Sequence, residues 1–260
     1  MAKWTPFPHA GDYAFDAASV KKNWARLHAG DAEPLPKDVK VLEAWALFHM
    51  GEFQKAVELG LKLGGAGITV ANKATCIYAN YLEAKESTKL ALFMEVAERA
   101  EKQAKDDPNN PGNANAYYLQ AYALGRYSQG ISVAKALAQG LGGKVKEALE
   151  KAIKLQPRHA DARIALGAFH AEVIDKVGSL IGSMTYGVKK DTSFKLFQEA
   201  LMINTLSAIA MIEQANSFVM LEGDKRMKEA TKLYEAAASF IALDAMERLD
   251  VEMAKAELED

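Results

Sequence analysis

From about Phe15 onward, apolar residues recur three and four positions apart with charged residues between them, the spacing of amphipathic helices. The stretch Lys146 to Leu155 carries the pattern cleanly. Ala148, Leu149, Ala152, Ile153 and Leu155 form one apolar stripe, and lysine and glutamate fill the opposite face. Gln156-Pro157 then ends the helix, because proline drives the residue before it out of helical geometry. Period-two alternation, the mark of a half-buried strand, is nearly absent. The predicted fold class is therefore all-α, one domain over 1–260. Asp12 to Leu27 predicts a helix that caps the N-terminal segment 1–37, helix pairs fill 38–243, and Asp244 to Leu258 predicts a C-terminal capping helix within 244–260.

The pairs repeat. Small residues expected where paired helices approach most closely are Ala44, Ala79, Ala121, Gly167 and Asn216, with spacings that lengthen from 35 to 49. Two segments account for the lengthening: 127–143, "YSQGISVAKALAQGLGG", and 174–192, "IDKVGSLIGSMTYGVKKDT". Both are apolar and Gly-containing, and both fall between the two helices of a pair. They are read either as surface-forming insertions or as an extended first helix with a longer loop.

The run "KVKEALEKAIKLQPRHADARIALGAFHAEV" resembles the tetratricopeptide superfamily. Ala148, Ala152, Leu155 and Pro157 fill the pattern of a second helix, and Leu166, Gly167 and His170 that of the next first helix. The likeness covers about 40–243, with a second pair ending at Pro108. It implies a right-handed α-solenoid of about five pairs, against a family period of about 34 residues. Within the superfamily, "LGAFHAEV" and its apolar extension are similar to the T component of tripartite transporters and to regulators of microtubule dynamics.

Composition narrows the function. Half of the 260 residues are hydrophobic, a quarter are charged, and the net charge is -2, which argues against a nucleic-acid partner. No window is apolar enough to span a membrane, and 1–8 lack the pattern of a secretory leader, so the expectation is a cytoplasmic protein with no membrane partner. The lone cysteine, Cys76, rules out an intrachain disulfide and reads as a small core residue. Gly140-Leu141-Gly142-Gly143-Lys144 fails as a phosphate loop, having Ala138 and Val145 where glycine and Ser/Thr are required. His159 and His170 stand three helical turns apart, too far to share a metal. No catalytic, cofactor-binding or metal-ligating set emerges.

What the resemblance implies is a binding surface on the inner face of the first helices. Carried onto this chain, that face takes Trp45 and Phe48 in the first pair, and Lys73, Cys76, Asn80 and Glu83 in the second. The third contributes Asn115, Tyr118, Tyr122 and Gly125, with Arg126 beside them, and the fourth contributes Asp161 and Ile164, with Arg163 beside them. Tyr118 and Tyr122 are expected to be part-exposed. Large aromatic surfaces and the fixed cations Arg126 and Arg163 suit recognition of a protein or peptide. The candidate partner-binding residues are thus Trp45, Asn80, Asn115, Tyr118, Tyr122, Arg126 and Arg163. The alternative is a small ligand held between this face and the Gly-rich insertions. Self-association into a homo-oligomer stays open.

Overall fold

The computed structural model describes residues 3–106 and 113–259. Every regular element among them is helical. In chain order these are α1 (Ala17–Leu27), α2 (Val39–His49), α3 (Phe53–Leu63), α4 (Gly67–Tyr81), α5 (Glu86–Asp106), α6 (Ala114–Gln129) and α7 (Val133–Ala138). There follow α8 (Leu141–Leu155), α9 (Ala160–Val177), α10 (Ser179–Tyr186), α11 (Lys190–Ile203), α12 (Ala208–Glu222), α13 (Met227–Ala238) and α14 (Ala245–Glu259). The chain divides into two compact units. One comprises 1–28, 33–156 and 243–246, and the other 29–32, 157–242 and 247–260.

In the first unit α2 packs on α3, α4 on α5 and α6 on α8, and the first helices α2, α4 and α6 also touch in series. In the second, α9 packs on α11 and α12 on α13. Five helix pairs result among the described residues, as the resemblance implies. The expected close-approach residues Ala44, Ala79 and Ala121 are fully buried. At Gly167 a Cβ would lie only 3.0 Å from the ring of Phe197, so α9 and α11 meet there almost backbone to side chain. Asn216 instead accepts a hydrogen bond from the Tyr234 hydroxyl. Pro108 lies outside the described residues.

Local chemistry sets the helix ends. Asp16 and Ser19 form a reciprocal cap on α1, the Ser19 amide donating to Asp16 Oδ1 at 2.7 Å and the Asp16 amide to Ser19 Oγ at 2.8 Å. His159 caps α9 by accepting the Ala162 amide on Nδ1 at 3.1 Å. α8 ends at Leu155, immediately before Gln156-Pro157. His170 packs as the resemblance implies. It is buried, and its Nδ1 accepts the Lys189 amide at 2.9 Å.

Both insertions contain a short helix of their own, α7 and α10. α10 is delimited by Gly178 (φ 83°) and Gly187 (φ 67°), backbone states that a Cβ disfavours, so the chain breaks helix on either side of it. Gly182 lets α10 lie against α9, since a Cβ there would meet Val188 at 2.8 Å and Val173 at 3.2 Å. The opposite side presents Leu180, Ile181 and Met184, exposed by 75%, 58% and 81%.

Candidate functional site

The positions of α2, α4 and α6 that the resemblance assigns to an inner face fall into a covered part and an accessible part, and cover comes from the N-terminal segment. α1 packs on α2. Trp24 and His28 of α1 stack at 3.9 Å, and His28 meets Trp45 edge-on at 4.5 Å. Trp45 in turn stacks on His49 at 5.8 Å. His49 Nδ1 lies 2.6 Å from Asp244 Oδ2, with both side chains buried. This hydrogen bond fastens the segment before α14 to α2. Trp45 and Phe48 are wholly buried, so Trp45 offers no surface to a partner. Burial comparable to a hydrophobic core, with ring pairs in edge-to-face and stacked geometry, makes the cluster a packing device.

Further along, Trp24 Nε1 donates to the Glu33 carbonyl at 2.8 Å, which lays residue 33 against α1. The Asn115 amide nitrogen donates to Glu33 Oε2 at 2.6 Å. Asn115 and Glu33 are both buried, so the Asn115 side chain is spent on the fold. A buried carboxylate needs such a partner, because a charge taken out of water with nothing to replace its hydration is strongly unfavourable. Tyr118 is 8% exposed. Its expected part-exposure is therefore corrected: it packs edge-on against Tyr122 at 6.1 Å.

Lys73 of α4 is buried too, with Nζ 6.0 Å from the Trp45 ring centre and 5.7 Å from that of Phe48. The aromatic faces offset part of the cost of burying its charge. One turn on, Cys76 lies in the core as expected. Burial pushes its thiol up to about 12, outweighing the positive charges of Arg99, Arg126 and Lys73 that favour the thiolate. The thiol is therefore not a nucleophile at neutral pH.

What stays accessible is a strip on α4 and α6. Asn80, Tyr122 and Arg126 are each half-buried. The Arg126 guanidinium lies 5.4 Å over the Tyr122 ring and also donates to Gln129 Oε1 at 3.2 Å. A cation attracted to an aromatic ring and hydrogen-bonded to its own helix has less side-chain freedom to lose on contact with a ligand. Arg163 belongs to the other unit. It is ion-paired with Glu199 at 3.3 Å and donates to the His159 carbonyl at 3.2 Å, which ties α9 to α11.

The sequence reading missed His28, His49, Glu33 and Asp244. A signal was present: Trp45 and His49 are four apart on one face of α2, and Trp24 and His28 are four apart at the end of α1, where His28 is the C-cap. Among the described residues, no group of three or more His, Cys, Asp or Glu side chains stands close enough to hold a metal ion. No described helix is long and apolar enough to cross a membrane.

No family model and no curated protein matches the sequence. Among solved structures, the chain is similar to a thermophilic tetratricopeptide repeat (TPR) protein of Thermus thermophilus. The TM-score is 0.57 and the identity 15%, over 84% of this chain and 97% of that one. The chain thus has the tetratricopeptide-like helical-repeat fold, of the all-α solenoid class.

Proposed function

We propose that the chain is a non-catalytic binding protein, and that α4 and α6 present the recognition strip for a protein or peptide segment bearing an anionic group. The observation that carries this reading is the Tyr122–Arg126 pair, a half-buried guanidinium 5.4 Å from the centre of an aromatic ring. Such a pair supplies both contact area and a preset cation, the features enriched at the energetic centres of interfaces. Asn80 adds a half-buried side-chain amide on α4. The same proposal sets the protein in the cytoplasm, where a lone thiol such as Cys76 stays reduced.

The test uses the wild-type chain and a Tyr122→Ala/Arg126→Glu variant as baits in the native cell. Proteins held by the wild type should fall at least tenfold with the variant, and each should bind the purified wild type directly. An identical set on both baits would refute the assignment of the strip.

A further inference from the structure

The capping helix α1 does more than close the array. Between α1 and the start of α2 runs a groove of about 520 Å³, open to solvent. The short side chains Ala17 and Ala18 make room on the α1 side. Leu35 and Val39, exposed by 45% and 57%, form the apolar side. Lys21 and Lys37 line the same groove, and both are exposed. Neither makes an ion pair among the described residues, unlike Lys40, paired with Glu43 at 2.9 Å, and Lys55, paired with Glu52 at 3.0 Å. The nearest carboxylates along the chain, Asp16 and Asp38, are the N-caps of α1 and α2. Asp16 accepts the Ser19 amide and Asp38 the Lys40 amide.

We propose that this groove docks an acidic, apolar peptide segment of a partner protein, its leucine-type side chains against Leu35 and Val39 and its carboxylates against Lys21 and Lys37. The argument rests on charge complementarity. Two cations without ion-pair partners flank apolar side chains left in water, and a segment with the inverse pattern satisfies both at once. An open groove encloses too little of a small molecule to hold it tightly, since small-ligand sites bury most of their ligand. A peptide continues beyond the groove and loses nothing by its openness. Lysines, as point charges on flexible stems, accept carboxylates in several geometries, so the interaction is selective for charge pattern and weakens with salt. This site stands independently of Tyr122 and Arg126.

The test is fluorescence anisotropy with the full chain and a fluorescein-labelled peptide Glu-Leu-Ala-Leu-Ala-Leu-Glu, beside a twin carrying Gln in place of each Glu. The acidic peptide should bind, the Gln twin at least tenfold more weakly, and added salt should narrow the gap. Lys21→Glu/Lys37→Glu should abolish the preference. Val39→Ser, also at an exposed position, should weaken both peptides alike. Equal binding of the twins, unchanged binding by the double variant, or no binding at all would overturn the proposal. Far-UV circular dichroism of each variant separates loss of the site from loss of the fold.

Discussion

Replacing glycine by alanine inside a helix ordinarily stabilises it by about 1 kcal/mol. At Gly167 the sign should invert. A Cβ built there lies 3.0 Å from Phe197 Cζ, 3.1 Å from Phe197 Cε2 and 3.2 Å from the Ser193 carbonyl oxygen. Phe197 is wholly buried, so its ring has nowhere to retreat. Ser193 Oγ donates to the Gly167 carbonyl at 2.8 Å, which holds α11 at this distance. Overpacking a close contact costs about 1–3 kcal/mol. Set against the propensity gain, Gly167→Ala should destabilise by about 1 kcal/mol. Gly167→Val, with two further methyl groups, should cost about 3 kcal/mol or more, by the same overpacking argument. Gly125, inside α6, is the control, since beyond its own helix backbone and chain neighbours nothing lies within 4 Å of its Cβ position. Gly125→Ala should stabilise by about 1 kcal/mol. Urea unfolding followed by far-UV circular dichroism measures all three, with an unchanged slope confirming that stability alone has moved. If Gly167→Ala stabilises as Gly125→Ala does, α9 and α11 are not in the close contact described.

Three further outcomes are expected. Asp244→Ala strands the buried His49 imidazole and should cost about 3 kcal/mol, lowering the thermal midpoint; an unchanged midpoint would mean that the hydrogen bond does not form. Because the Cys76 thiol is raised from about 9 to about 12, the folded state holds its proton more tightly than the unfolded one. Its contribution to stability is complete below pH 9 and lost as pH rises toward 12, and a Cys76→Ala variant should lack that part of the decline. Equal pH profiles for the two proteins would count against the buried placement. Finally, Leu180→Ser/Ile181→Ser/Met184→Ser should lower the fluorescence of a hydrophobic dye such as anilinonaphthalene sulfonate, with stability within about 0.5 kcal/mol of wild type, as exposed positions allow. Unaltered dye binding would indicate that α10 is already covered.

The helix pairs were legible because their apolar spacing is local, and because Pro157 and the small residues Ala44, Ala79, Ala121 and Gly167 mark where helices stop and touch. The inner face was legible only as a set of positions. Which of them remain accessible depends on long-range contacts that no periodicity encodes. Trp45 is covered by His28 and Trp24 from α1, and Asn115 by Glu33. Residues such as His49 and Asp244, 195 positions apart, meet only in the folded chain. The insertions were visible as Gly-containing apolar segments. That each carries a helix, one of them exposing three large apolar side chains, follows from glycine geometry and from packing against α9.

The central claim is that the Tyr122–Arg126 strip is where this protein meets its partner. A photo-crosslinking amino acid at position 122, with a second chain carrying it in place of Lys154 on the exposed side of α8, puts that claim to direct measurement in the native cell. The expected result is a discrete protein adduct from position 122 that is absent from position 154 and lost when Arg126→Glu is added. Adducts that are the same from both positions, or none from position 122, would contradict the account.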